Sequence, residues 1–400
     1  MPDVYYKKTL DFYHAGQTLR FHISQDLFSS HQVDVGTVRL LRSLDAASSF
    51  HKILDLGCGY GPLGLTLKKR YPDSVVHLVD RDALAVDYTR QNAALNHSAD
   101  VLVYGSLGYD DVTARDFDLI LSNIPGKAGE TVIAGLLRDA GHFLTPDGMV
   151  AIVVVAALEA TVAHILDDPD IEIIFQETRS GHAIFHYRFS TAYRDRRRPF
   201  ENGFAAGLYH RDNVMLSVGQ LAFPLQTVRG LPEFDTLSYR SALLVEELRR
   251  MQGTPLGHAV IFNPGQGHIP VALWKLLQPA DIALVDRDLL SLRCARYNLV
   301  QNGCPESRLT TAHQVGLSPQ AAGQSVDLLA GVVREEEGPA AAEQLMEQAA
   351  AQLVPGGMAL ITAASTPITR LEKAIQPGKL WRIEKRRRDK GISLLVMRRR

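Results

Sequence analysis

The segment ILDLGCGYG at 53–61 has a counterpart far down the chain, IFNPGQG at 261–267. Two strand-and-loop segments of this kind constrain the fold more than composition does, because an ordered repeat at domain spacing means two copies of one unit. The pairing sets Gly57 against Gly265 and Gly59 against Gly267. LVDRD at 78–82 recurs unchanged at 284–288, and Arg90, Asn92 and Asn96 recur as Arg296, Asn298 and Asn302, all at an offset of 206. FDLIL (117–121) parallels VDLLA (326–330), and LTPDGMVAIV (144–153) parallels LVPGGMALIT (353–362). Even the lead-in AGQTLRF (15–21) weakly matches VGQLAFP (218–224). Chance accounts for one pair but not for an ordered series whose offset drifts only from 203 to 209. Four hundred residues also exceed one ordinary core. The boundary is expected within RFSTAYRDRRRPFENG (188–203), where periodicity is poor and charge dense, giving domains 1–192 and 193–400.

Within the first copy, short apolar runs alternate with helical patterns: KILDL (52–56), VVHLVD (75–80), DVLVY (100–104), DLILS (118–122) and MVAIVVV (149–155). Consecutive apolar positions suit strands covered by helices on both faces. Between them, Leu84, Tyr88 and Leu95 share a helical face, with Asp82 at the N-cap position. This is a doubly wound α/β pattern. IIFQET (173–178) and AIFHYRF (183–189) follow too closely for a parallel crossover and are expected to pair as a hairpin at the sheet edge.

Hydrophobic content of 46% and charged content of 22% are those of a water-soluble globular chain. No apolar run reaches the roughly 18 residues of a membrane span, and MPDVYYKK carries no apolar signal core. Cys58, Cys294 and Cys304 lack metal or disulfide spacing, which fits a reducing cytoplasm and no metal site. A net charge of −1 means that any nucleic-acid contact comes from local patches.

DLGCGYG has the form D-x-G-x-G-x-G. Glycines at 57, 59 and 61 let the backbone turn sharply against a ligand, and Asp80, ending the next strand, can accept both hydroxyls of a ribose. Gly59, Gly61 and Gly64 also match the dinucleotide fingerprint G-x-G-x-x-G, so an NAD-dependent oxidoreductase is the distant alternative. Asp55, two residues before the first glycine, would repel a pyrophosphate and suits a cofactor with a cationic amino-acid end.

These motifs resemble those of class I S-adenosylmethionine-dependent methyltransferases. The group resembled is the small methyltransferases, which include ribosomal RNA guanine-N2 enzymes of the RsmC and RlmG type. QDLFSSHQVDVGTVRLL (25–41) is similar to that group's lead-in, a Phe-Ser step followed by Asp-x-Gly-Thr. ILDLGCGYGPLGL resembles its cofactor loop, and LILSNIPG (119–126) stands in the place of its Asn-Pro-Pro-aromatic motif. The resemblance implies a tandem duplication of a Rossmann-like fold, each copy a seven-stranded sheet with a terminal antiparallel hairpin. It implies S-adenosyl-L-methionine as cofactor, held by Asp55, Gly57, Gly59, Gly61, Asp80 and Arg81, with Ser106, Phe28, Ser29 and Asn123 beside it. Ribosomal RNA or a ribosomal subunit is the implied partner. In the family the Asn of the Asn-Pro motif accepts from an exocyclic amine and the aromatic stacks on an extruded base. Asn123 and Pro125 fit that catalytic motif, while Ile124 replaces its first proline and Gly126 its aromatic. Family members of this kind carry one degenerate copy. Here the second copy reads as the degenerate one, with Asn263 in place of Asp55, Pro264 stiffening the turn, the third glycine lost, and AGVVREEEG where the Asn-Pro motif would stand. Asp286 survives, which leaves a weak nucleotide site open.

Ser106 reads equally as a turn residue, His142 as structural, Cys58 as a small residue in a tight loop, and Lys127 as a solvated loop cation. Basic clusters at Arg194–Arg198, Lys385–Lys390 and Arg398–Arg400 suit phosphates or plain solvation. Three readings follow: methylation of an RNA exocyclic amine; methylation of a small molecule or protein, since Gly126 removes the stacking face; and a noncatalytic RNA-binding or assembly protein that keeps the cofactor fold.

Overall fold

In the computed structural model, which describes residues 3–46, 49–196, 199–317 and 326–400, the repeat folds as two units. One runs Tyr6–Tyr209, the other His210–Arg400 with the segment ending at Tyr5. The first unit opens with a hairpin, β1 (Tyr6–His14) and β2 (Gln17–Ser24), and helix α1 (Val35–Ser43). It continues β3 (Lys52–Leu56), α2 (Pro62–Arg70), β4 (Val75–Asp80), α3 (Ala83–Leu95), β5 (Leu102–Gly105) and β6 (Phe117–Asn123). It closes with α4 (Glu130–Asp139), β7 (Leu144–Val155), α5 (Glu159–Leu166), β8 (Ile171–Arg179), β9 (His182–Phe189) and the short α6 (Thr191–Arg196).

The strands form one seven-stranded sheet in the order β5-β4-β3-β6-β7-β9-β8. The first five are parallel; β9 runs antiparallel to β7, and β8 to β9, so the expected edge hairpin is present. Strand order reverses between β3 and β6, and an open α/β sheet leaves its ligand crevice beyond the carboxyl ends of the strands at such a point. Asp82 caps α3 as its position predicts, accepting from Leu84 N at 3.0 Å.

The second unit repeats the plan: β10 (His210–Val218), β11 (Leu221–Val228), α7 (Tyr239–Arg250), β12 (His258–Phe262), α8 (His268–Leu277), β13 (Asp281–Asp286) and α9 (Leu289–Gln301). Then come β14 (Leu309–His313), β15 (Val326–Val332), α10 (Gly338–Gln352), β16 (Leu353–Ala364), α11 (Ser365–Ile375), β17 (Trp381–Asp389) and β18 (Ile392–Arg399). Its sheet has the same order, β14-β13-β12-β15-β16-β18-β17. Along β12, Ala259 and Ile261 enter one apolar cluster while Val260 and Phe262 enter another. The continuous apolar run is thus buried on both faces, as a helix-covered parallel sheet requires.

The repeated asparagines fasten each hairpin to its unit. Asn92 Oδ1 accepts from His22 N at 2.7 Å, and its Nδ2 donates to His22 O and Tyr60 O. Asn298 does the same to Gln226 and Gln266. Asn96 exchanges two bonds with the Arg20 backbone, but its counterpart Asn302 faces Pro224, which has no N–H, and among the described residues Asn302 Oδ1 is left buried and unpartnered.

The repeat register of the glycine loops needs correcting by two residues. β3 ends at Leu56 and β12 at Phe262. Gly57 N donates to Val79 O and Asn263 N to Val285 O, while Gly61 and Gly267, both at φ 95°, are the N-caps of α2 and α8. Asn263 therefore replaces Gly57, Ile261 replaces Asp55, and the third glycine is kept as Gly267.

The sequence boundary at 192/193 differs from the unit boundary at 209/210. Phe200 packs edge-on against Phe143 at 5.0 Å, Gly203 N donates to Asp110 Oδ1 at 2.6 Å, and Leu208 lies against Gly135, so the charged connector stays with the first unit.

Candidate functional site

The carboxyl ends of β3, β4 and β6 carry Asp55 with the glycine loop, Asp80 with Arg81, and Asn123, while Phe28 and Ser29 lie on the segment between β2 and α1. Beyond β3, Gly57, Gly59 and Gly61 all take left-handed conformations, at φ 79°, 59° and 95°. A Cβ on Gly57 or Gly59 would meet nothing within 4 Å, so the loop has open space beside it. Asp55, at the end of β3, is fully buried. Its Oδ2 accepts from Gly64 N at 2.8 Å, and its Oδ1 is buried with no hydrogen-bond partner among the described residues. Burial first, offset in part by the Gly64 bond and then reinforced by Asp80, pushes its pKa up to about 7. A buried carboxylate oxygen without a donor is disfavoured in its charged form by roughly 1–3 kcal/mol, which is the physical cause of the raised pKa.

Asp80 ends β4 with one oxygen on the glycine loop and one on the next turn: Oδ2 accepts from Gly59 N and Oδ1 from Asp82 N, each at 2.9 Å. Burial, then Asp82, raises its pKa to about 6. Arg81 follows, half-buried. Ser106 lies next to Asp80 through its backbone, N to Asp80 O at 2.9 Å. Its hydroxyl closes a turn, donating to Gly108 O at 2.7 Å and accepting from Asp111 N at 3.2 Å, so the turn reading describes what the side chain does. Ser29 likewise spends its hydroxyl on Gln32 O, while the Phe28 ring is 72% exposed.

Asn123 ends β6, half-buried, followed by buried Ile124 and exposed Pro125, Gly126 and Lys127. Its Nδ2 donates to Asp34 Oδ2 at 3.0 Å and to Thr37 Oγ1 at 3.1 Å. A carboxylate only accepts, so the nitrogen must face Asp34 and Oδ1 must face away. Among the described residues Oδ1 takes part in no hydrogen bond. The arrangement is a fixed, unspent acceptor at the switch point of the sheet. Asp34 and Thr37 were not among the sequence candidates; the Asp-x-Gly-Thr step was the signal that carried them. Gly126 is not held by backbone strain, since a Cβ there meets only Val155 Cγ2 at 3.5 Å.

Three comparisons bear on this site. The methyltransferase small domain family matches residues 18–180, which contain every residue of the site just described. The uncharacterized protein YbxB of Bacillus subtilis (strain 168) is 32% identical over 149 residues, 37% of this chain and 74% of that protein. The chain belongs to the methyltransferase small domain family. Among other relatives, the ribosomal RNA small subunit methyltransferase C of Pseudomonas entomophila (strain L48) is 40% identical over 131 residues, but the match spans 32% of this chain and only 39% of that enzyme. In fold, the methyltransferase small domain chain is similar over 98% of its length to the T. thermophilus 16S rRNA N2 G1207 methyltransferase (RsmC) in complex with AdoMet and guanosine, at a TM-score of 0.68 and 15% identity.

The second unit has the same frame, but its counterpart positions are filled differently. Ile261, fully buried, stands where Asp55 does, and Val332 ends β15 where Asn123 ends β6. Asp286 matches Asp80, but its Oδ1 is taken by Arg334 Nη2 and Asp288 N, and its Oδ2 by Ser291 Oγ at 2.6 Å. Arg287 pairs with Glu337 at 3.0 Å beside it. What remains is a cavity of about 20 Å³ lined by Asn263, Asp286, Arg287 and Arg334. That is room for about one water molecule. The surviving acid, read from sequence as a possible nucleotide acceptor, has an internal guanidinium as its partner.

Two of the basic clusters are neutralised in part within the second unit. Lys385 pairs with Glu247, Arg386 with Glu372, and Arg387 with Glu246. Arg398 pairs with Glu384, and Arg399 donates to Leu353 O. Arg197 and Arg198 of the connector lie outside the described residues, as do the side chains of 194–196. His142 packs on Phe200 at 5.8 Å, a structural contact. Burial holds the Cys58 thiol well above its ordinary pKa, which makes it a poor nucleophile. Among the described residues no group of three or more His, Cys, Asp or Glu side chains could hold a metal, and no helix is long and apolar enough to cross a membrane.

Proposed function

We propose that the first unit binds S-adenosyl-L-methionine and methylates an exocyclic amine of guanine in ribosomal RNA, a role that places the protein in the cytoplasm. The observation that carries this reading is the oriented amide of Asn123, whose Oδ1 is free to accept while its nitrogen is held by Asp34 and Thr37. The residues present fit the cofactor. The unpartnered Oδ1 of Asp55 suits a cationic amino-acid end, and the Asp80 carboxylate at the next strand end suits ribose hydroxyls. When bound, the cofactor supplies an electrophilic methyl carbon on a sulfonium. The chain's part is alignment: Asn123 Oδ1 would accept an N–H of the incoming amine, aim the amine's own lone pair at the methyl carbon as the N–C bond forms and the C–S bond breaks, and disperse the positive charge that grows on nitrogen until the amine loses a proton. The relatives named ribosomal RNA small subunit methyltransferase C support the substrate class, over the part of their length that is matched.

The glycine at 126 also favours a second reading, a small-molecule or protein substrate that needs no stacking. Mass spectrometry of ribosomal RNA nucleosides from a deletion strain separates the two. Loss of one methylated guanosine is expected; an unchanged nucleoside profile would move the assignment to the second reading.

One cofactor is expected per chain, because in the second unit Arg334 occupies Asp286 and Ile261 replaces the acid of the loop. Calorimetric titration of the full chain should saturate near one. A stoichiometry near two, with Asp286→Ala removing one site, would contradict the sealed second unit.

A further inference from the structure

The first helix of each unit opens with a matching turn: DVGT at 34–37 before and within α1, and SYRS at 238–241 before and within α7. Both turns do the same local work. Asp34 accepts from Thr37 N at 3.1 Å, and Ser238 accepts from Ser241 N at 3.2 Å. Serine caps as well as aspartate, so the cap alone does not call for a carboxylate. In the first unit the same Asp34 Oδ2 also receives the Asn123 amide, 89 residues away in sequence, and the Thr37 hydroxyl receives it too. The glycine between them follows from this placement: a Cβ on Gly36 would fall 2.8 Å from Asp34 Oδ2 and 2.7 Å from His182 Cδ2. In the second unit Arg240 stands at the glycine position and Val332 at the asparagine position. Asp34, Gly36, Thr37 and Asn123 are thus present as a set in the unit that keeps Asp55, and Ser238, Arg240, Ser241 and Val332 replace them as a set in the unit where Ile261 stands in its place and Arg334 pairs with Asp286.

We propose that Asp34 is a positioning residue for methyl transfer, which together with Thr37 locks the Asn123 amide so that its oxygen, not its nitrogen, meets the substrate amine. This rests on the function proposed above. The torsion that swings a side-chain amide is soft and roughly two-fold. Without a directing partner, Asn123 can present its N–H donors to an amine that also needs to donate. Thr37 alone does not decide the orientation, because a hydroxyl donates or accepts; the carboxylate, which only accepts, does.

The test is a double-mutant cycle on the full chain with ribosomal RNA as substrate. Asp34→Ser keeps the cap in the form the second unit uses, so the unfolding temperature and the calorimetric affinity for S-adenosyl-L-methionine should stay close to wild type. kcat should fall about ten- to a hundredfold, with KM for RNA nearly unchanged. Asp34→Asn, which can still offer an oxygen at that place, should recover much of the loss. In an Asn123→Ala background Asp34→Ser should have no further effect, since it acts through the residue already removed. An equal loss in both backgrounds, or a wild-type rate in Asp34→Ser, would overturn the proposal. A second readout does not depend on activity: the side-chain amide resonance of Asn123, assigned by its disappearance in Asn123→Ala, should move in Asp34→Ser. A resonance that moves in a protein inactive on RNA keeps the positioning role and removes the substrate reading; a resonance that stays overturns the positioning role itself.

Discussion

Asn123→Ala is expected to lower methyl transfer about a hundredfold or more while leaving cofactor affinity nearly unchanged. The size follows from what is lost. Asn123 Oδ1 is an acceptor whose orientation is already fixed by two hydrogen bonds from its own nitrogen, so it costs no reorganisation when charge develops on the amine. Removing a preorganised partner of this kind typically costs a few kcal/mol in the transition state. Cofactor affinity is spared because Asp55 and Asp80, the acids proposed to face the cofactor, sit on β3 and β4 and bond to Gly64 of α2 and to Gly59 of the glycine loop rather than to Asn123. The measurement is incorporation of labelled methyl into ribosomal RNA, wild type against variant, with calorimetry as the control. Equal incorporation would mean that Asn123 only anchors α1 to β6 and that the acceptor lies elsewhere.

Asp80→Ala is expected to weaken S-adenosyl-L-methionine binding about ten- to 150-fold or more, the equivalent of losing about 1.5–3 kcal/mol of hydrogen bonding to a charged acceptor. The alanine also strands the Gly59 and Asp82 N–H groups that Asp80 now accepts, so the loop that would cradle the cofactor loses its tie to β4. Calorimetry on the purified chain reads the effect directly. Unchanged affinity would remove Asp80 from the site, and tight NADH binding with no response to S-adenosyl-L-methionine would overturn the cofactor assignment.

Much of this architecture was legible in the sequence because it rests on local patterns. Consecutive apolar positions in ILDL and VVHLVD require burial on both faces, and the short gap between the last two strands permits only a hairpin. The glycine-loop register was misread for an equally local reason: G-x-G-x-G overlaps itself when shifted by two, so Gly265 and Gly267 match either half of the first loop. The flanking bonds, Gly57 to Val79 and Asn263 to Val285, and the shared helix-capping role of Gly61 and Gly267 distinguish the alternatives. What sequence could not supply were pairings between distant segments. The Asp34–Asn123 bond spans 89 residues, and the Arg334 seal over Asp286 spans 48. The KRRRDK cluster resembled a phosphate track because the carboxylates that neutralise it, Glu246, Glu247 and Glu372, lie on α7 and α11.

The central claim, that the first unit carries the proposed methyl-transfer site and the second does not, is tested most directly by incubating the full chain with labelled S-adenosyl-L-methionine and ribosomal RNA or ribosomal subunits, then locating the label. The account predicts label on a guanine exocyclic nitrogen, lost in Asn123→Ala and retained in Arg334→Ala, which alters only the second unit. No label in any RNA, or transfer that survives Asn123→Ala and disappears with Arg334→Ala, would contradict it.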